Sequence, residues 1–166
     1  MTVVLVILAI ILLGAVALNA ENRRSGQDRR SGWNLTIREK VRFWSLKAGL
    51  NPAFVWGVVM TESSGNPNAE NPSDPSTGLM QVTPLIGRAF AKLTGDTREV
   101  LRALLDPDIN LKAGTDFLAH LKGRYNSKFP QQEWVQAYNL GEPSFDRGSR
   151  NQIYGQRVMK FMADWN

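Results

Sequence analysis

The chain contains no cysteine and a single histidine, His120, in its 166 residues. Without thiols there are no disulfides and no thiolate metal sites, and one imidazole supports neither a histidine cluster for metal-dependent hydrolysis nor a histidine-based triad. No metal and no cofactor is therefore expected. His120 itself, within Phe117-Leu118-Ala119-His120-Leu121, reads as a structural or surface helix residue. The sequence also lacks a pair of alternating strand-like runs joined by a tight hairpin turn, so a β fold is not indicated. It lacks, finally, a basic helix face interleaved with aromatic residues, which speaks against a nucleic-acid binder. The formal charge of +5 still favours a polyanionic partner, and anionic lipid and the bacterial wall both qualify.

Charge is absent from one stretch altogether. Thr2 to Leu18 is uncharged and almost wholly aliphatic, 17 residues at the short end of what spans a bilayer. Residues 1–20 are expected to form a membrane anchor. A cleaved signal is the main competitor, since Ala15-Val16-Ala17 offers a small-x-small site, but a basic n-region is missing. A core helix apolar on every side would need burial all round. Residues 21–32 carry the near-repeat Arg23-Arg24-Ser25-Gly26 and Arg29-Arg30-Ser31-Gly32 and read as a flexible basic linker, with contact to anionic headgroups or wall polymers as a sharper role. Arginines directly after an apolar segment favour the cytoplasmic side. Residues 33–166 are long enough for one core of their own.

From Ile37 onwards the pattern is helical. Ile37, Val41, Trp44 and Ala48 mark a first helix ending near Gly49. Asn51 and Pro52 open a second, which Gly65 is expected to stop. Further helices are expected over Pro84–Leu93, Thr97–Leu105, Asn110–Arg124, Glu133–Tyr138 and Ile153–Trp165, giving an all-α class. In the second helix Phe54, Val55, Val58, Val59 and Glu62 fall on one face. Glu62 thus points where its neighbours bury themselves. Desolvation and the negative end of the helix dipole both disfavour its charged form, which predicts a raised pKa and a general-acid role. The bland alternative is a solvated glutamate at a helix end.

The segments Glu62-Ser63-Ser64-Gly65-Asn66-Pro67, Gly78-Leu79-Met80-Gln81-Val82-Thr83-Pro84 and Ala137-Tyr138-Asn139-Leu140-Gly141 resemble three signatures of the soluble lytic transglycosylase-like family, in the same order. The stretch Asp106-Pro107-Asp108-Ile109-Asn110-Leu111-Lys112-Ala113-Gly114 is similar to the family's segment between the second and third. The resemblance implies a lysozyme-like helical domain with a substrate cleft. It also implies cleavage of the β-1,4 bond between N-acetylmuramic acid and N-acetylglucosamine in peptidoglycan, leaving a 1,6-anhydro end, with Glu62 as the one catalytic acid/base. It places the domain facing the cell wall, anchored in the envelope or held in a virion membrane, for entry or for assembly of an envelope machine.

For the rest of the site the resemblance implies that Tyr138 reaches the glutamate and the sugar, and that Gln81 faces the cleft. Met80 is expected to be part core and part cleft wall, and Asn139 to hold a helix end. Tyr154 matches an aromatic of a weaker C-terminal motif and is expected to pack. Two departures stand out. Asn71-Pro72 stands where the family commonly has a serine before the proline, so Asn71 or Ser73 is the candidate contact to an N-acetyl group, and basic sequence around Arg150 replaces an acidic residue. Asp74 and Glu70 are the acids nearest Glu62 in sequence but lack apolar context, and Asp106 reads as a helix-boundary residue before Pro107. Two rival readings are a goose-type muramidase, which needs a second acid to activate water, and a non-catalytic wall-binding module.

Overall fold

Helix α1, Ile37–Lys47, buries Val41 and sets Trp44 partly against the core. Its Lys40 is buried and pairs with Asp108, whose other oxygen accepts the Trp44 indole N–H at 2.9 Å. The charge is therefore neutralised where it is desolvated. Helix α2, Pro52–Ser63, begins as its sequence predicts: the Asn51 side chain accepts from Ala53 N at 2.9 Å, and Pro52 holds the first helical position. Its end differs from expectation. Ser64, at φ 54°, takes the left-handed capping position ahead of Gly65 and returns its N–H to the Met60 carbonyl.

The computed structural model describes residues 35–71 and 73–165. The apolar segment 1–20, the basic linker 21–32 and Trp33 at the expected start of the domain lie outside them. No helix among the described residues is long and apolar enough to cross a membrane. From Ile37 the chain forms one compact unit.

After α2 comes a departure from the all-α expectation. Strands β1 (Glu70–Asn71) and β2 (Ser76–Thr77) pair antiparallel, Glu70 opposite Thr77 and Asn71 opposite Ser76, and Thr77 bridges to Val82. Two residues per strand are too few to carry an alternating pattern, so periodicity could not announce this ribbon. Helices α3 (Pro84–Ala91), α4 (Thr97–Ala103) and α5 (Pro107–Tyr125) follow, each with a side-chain cap at its start: Thr83, Asp96 and Asp106. Asp106 accepts from both Asp108 N and Ile109 N, the boundary role expected of it.

The expected helix over Glu133–Tyr138 is instead two short ones, α6 (Gln131–Trp134) and α7 (Gln136–Leu140), and α8 (Glu142–Asp146) follows unannounced. Segments of four or five residues hold little more than one turn, below what a 3.6-residue period can reveal. Helix α9, Gln152–Ala163, closes the unit.

Helix α2 is the core of this arrangement. Phe54, Val55, Val58 and Val59 are all essentially inaccessible, and Phe54 meets Trp134 edge-on at 5.3 Å. On another side α2 lies unusually close to α9: a Cβ at Gly57 would sit 2.3 Å from the Val158 carbonyl oxygen, so only glycine permits this crossing. Arg38 inserts between Trp56 and Trp165, 5.0 Å from each ring, and ties α1 to this pair.

Candidate active site

The close crossing of α2 and α9 determines what faces Glu62. The Tyr154 hydroxyl, on the first turn of α9, donates to Glu62 Oε1 at 2.6 Å. Asn151 accepts from Tyr154 N at 3.1 Å and caps the helix, so the phenol is presented from a defined backbone. Glu62 keeps part of its surface open, yet the packing around its carboxyl is dense. Burial raises its pKa from 4.5 to about 7, against the opposing effects of the Tyr154 hydrogen bond and the nearby Arg157 guanidinium. The direction is the one expected from the apolar stripe. Burial also pushes both Tyr154 and Tyr138 well above the usual phenol range, and the Glu62 charge adds to each. Both phenols are therefore neutral donors at any working pH.

The two tyrosines exchange the roles expected of them. Tyr138, on α7, donates to the Met80 carbonyl at 2.8 Å, and it is Tyr154 that reaches the glutamate. Tyr154 does pack, being buried, but its hydroxyl is at the site as well. The residue three positions on, Arg157, went unnoticed in the sequence, although an i, i+3 relation to Tyr154 puts it on the same side of the helix.

The loop from Ala69 to Val82 forms the site's other flank. Met80 is wholly buried: its side chain fills the space over Gly114 of α5, and it contributes its backbone carbonyl rather than a wall of side chain. Gln81, half-buried at φ 46°, spends its amide on the loop, donating to the carbonyls of Ala69 at 3.1 Å and Gly78 at 3.0 Å and accepting from Ser76 Oγ. Ser63, next to Glu62, donates from Oγ to Leu79 O at 2.8 Å and so joins the loop to the end of α2.

A second residue missed in the sequence holds this loop from below. Asn110 is fully buried on α5, accepts from Met80 N at 2.8 Å and donates to Thr77 O and Leu104 O, each at 2.8 Å. Gly78 makes room for it, because a Cβ there would lie 2.3 Å from the Asn110 amide nitrogen, and its φ of +78° suits glycine as well. The signal was present: an amide among the buried positions of an amphipathic helix needs partners, and only a folded-back loop could supply them.

The remaining candidates lie further out. Asn71 and Ser73 are exposed on the ribbon's tip, where Asn71 Oδ1 accepts from both the Ser73 N–H and the Ser73 hydroxyl. Asn139 accepts from Asn151 Nδ2 at 2.9 Å, bracing the start of α9 and hence Tyr154. A cavity of about 330 Å³ is found away from the glutamate, among Gln132, Gln136, Gln152, Gln156 and the Arg150–Glu133 ion pair. Size alone does not locate the chemistry here; the perturbed carboxyl does.

Comparison with known proteins identifies relatives of this chain. Membrane-bound lytic murein transglycosylase C of Photorhabdus laumondii is 34% identical over 143 residues, covering 71% of this chain and 40% of that protein. The protein of the same name from Pectobacterium atrosepticum is 36% identical over 111 residues, 63% of this chain and 31% of its own length. The chain thus spans well under half of these curated relatives. In fold it is similar to an inactive mutant of lytic transglycosylase Slt from Pseudomonas aeruginosa, with a TM-score of 0.61 at 19% identity, covering 77% of this chain and 23% of that one. The Transglycosylase SLT domain model matches residues 39–156, which include Glu62, the loop to Gln81, Tyr138 and Tyr154, and the chain therefore belongs to the SLT transglycosylase domain family.

Proposed function

We propose that this domain is a peptidoglycan lytic transglycosylase that cleaves the β-1,4 bond between N-acetylmuramic acid and N-acetylglucosamine with Glu62 as its single acid/base. The observation that carries the reading is a carboxyl at the edge of the core whose pKa is raised to about 7 and which is held by one neutral phenol. A general acid works best when its pKa lies near the working pH.

In this reaction protonated Glu62 gives its proton to the glycosidic oxygen as the bond from that oxygen to the muramic acid C1 breaks, the electron pair leaving with the N-acetylglucosamine. Positive charge develops at C1 and the ring oxygen. The Glu62 carboxylate then takes the proton of the same sugar's C6 hydroxyl while that oxygen bonds to C1. The 1,6-anhydro ring closes, Glu62 is again protonated, and no water is consumed. An intramolecular hydroxyl has a high effective concentration, so a second catalytic carboxylate is not required.

The chemistry of a muramidase would differ. A hydrolase needs an acid placed to activate water or attack C1. Tyr154 and Arg157 are the groups that act on Glu62 besides burial, and Glu70 and Asp74 are exposed on the ribbon. Anchoring in the envelope is supported by the uncharged segment Thr2–Leu18 and by relatives named membrane-bound. The substrate would then be the wall beside that membrane.

Mass spectrometry of purified peptidoglycan digested by the wild type and by Glu62→Gln tests the reading. Products ending in 1,6-anhydromuramic acid that vanish in the variant are expected. Reducing-end products would show hydrolysis instead, and an intact wall with both proteins would leave a binding module.

A further inference from the structure

Some of the domain's charge is internally matched: Lys40 pairs with Asp108, Lys112 with Asp116, Arg124 with Glu142 and Asp146, and Arg150 with Glu133. Arg98, Arg102 and Glu70 are not. Among the described residues none of these three side chains has an ion-pair partner, and all three line one cavity of about 240 Å³, with Leu101 and Leu105 as its apolar floor. A second cavity of about 210 Å³ shares Glu70 and Leu101 and extends the space past Pro75. The result is a groove between the β ribbon and α4.

Its walls are well defined. Arg98 and Arg102 are four residues apart and project from the same side of α4, whose start is secured by reciprocal hydrogen bonds between Asp96 and Glu99. Glu70 is held by its pairing with Thr77, and the Thr77 hydroxyl donates to the Leu101 carbonyl at 3.3 Å, fastening ribbon to helix. Two guanidinium groups recognise a carboxylate or phosphate, while a single carboxylate recognises an ammonium group. A ligand suited to both carries an amine and a carboxylate joined by an aliphatic portion that can lie over Leu101 and Leu105.

We propose that this groove binds the stem peptide of peptidoglycan through a diamino acid that carries a free carboxylate, such as meso-diaminopimelate, with Arg98 and Arg102 on that carboxylate and Glu70 on its free amine. The inference rests on the peptidoglycan reading of the Glu62 site. It adds a recognition site on the ribbon, which continues through Gly78 into the Met80 and Gln81 flank of the catalytic cleft. Glycan chemistry at Glu62 and peptide recognition at the groove would then be read by two faces of one loop.

The test is calorimetric titration of the full chain, in detergent, with the tetrapeptide L-Ala-γ-D-Glu-meso-diaminopimelyl-D-Ala, and in parallel with inorganic phosphate at matched ionic strength. The wild type should bind the peptide, and the double variant Arg98→Gln/Arg102→Gln and the single variant Glu70→Gln should each weaken it by about tenfold or more, the loss expected for a charge-assisted contact. The three side chains are exposed, so circular dichroism should show intact folds. Peptide binding that is undetectable in the wild type, or equal in all variants, overturns the proposal. So does peptide binding that phosphate displaces and Glu70→Gln leaves unchanged, since the groove would then be a plain anion site. Cleavage gives a separate readout: the double variant should raise KM on strands carrying peptides and leave it unchanged on strands stripped by an amidase. Because binding is read without turnover, failure of the transglycosylase reading would appear in the wall digest, and failure of the groove in the titration.

Discussion

Tyr154 and Glu62 are 92 residues apart in the chain, yet their side chains meet in a 2.6 Å hydrogen bond across a close helix crossing. The phenol donates and the carboxyl oxygen accepts, so the bond favours the ionised acid and opposes the burial that raises its pKa.

Removing the phenol should therefore move the acid further up. Tyr154→Phe is expected to shift the alkaline limb of the pH–rate profile above its wild-type position near pH 7. It should also lower kcat about tenfold, because the carboxyl loses the partner that orients it. Tyr138→Phe removes a bond to the Met80 carbonyl instead, and should lower activity with a smaller displacement of that limb. Profiles of both variants on soluble glycan strands check the distinction; a shift of equal size in each would contradict it.

Glu62 should also cost stability. Its folded pKa of about 7 exceeds the unfolded value of 4.5, so the native state holds the proton more tightly and stability falls as pH rises through that interval. Below pH 4.5 this loss is absent; above pH 7 it is complete, of order 2 kcal/mol once solvent screening at the open side is allowed for. Glu62→Gln should unfold at higher urea than the wild type at pH 8 and lose this part of the pH dependence. Urea melts of the two proteins at pH 4.5 and 8 measure it.

Arg157 lowers the Glu62 pKa by its charge. Arg157→Gln should raise that pKa while keeping the Tyr154 hydrogen bond, so the alkaline limb moves up with little change in the plateau rate. An unchanged limb would mean that solvent screens the charge at this exposed position.

Asn110 joins Met80, Thr77 and Leu104 through three buried hydrogen bonds. Asn110→Ala leaves Met80 N and Leu104 O without a partner, while Thr77 O keeps the Val82 N–H, and should cost about 3 kcal/mol in urea unfolding, a large share of a small domain's stability. Activity should fall as well, since the Met80 carbonyl that anchors Tyr138 is placed by the same residue.

At the helix crossing, Gly57→Ala puts a methyl group against the Val158 carbonyl oxygen and forces α2 and α9 apart. A destabilisation of about 1–3 kcal/mol is expected. If the displacement also breaks the Glu62–Tyr154 bond, the effects of Gly57→Ala and Tyr154→Phe on kcat will be less than additive in a double-mutant cycle.

Local chemistry was enough to predict much of this protein. Asn51 with Pro52 starts a helix where expected, because the side chain and fixed φ satisfy the first turn regardless of what packs against it, whereas the helix expected from Asn110 begins three residues earlier, at Pro107, under the same kind of cap from Asp106. Glu62 falls on the apolar face because helical periodicity places it there, and burial of that face was sufficient to predict its raised pKa. What sequence could not decide involves partners remote in the chain or elements too short to show a period. The two-residue strands, the break between Trp134 and Gln136, and the capture of Glu62 by Tyr154 rather than Tyr138 are of this kind. Which phenol reaches the acid depends on the angle and distance at which α9 crosses α2. That crossing is determined by the missing side chain at Gly57 against the backbone of Val158, a contact between residues 101 positions apart that exists only in the folded chain.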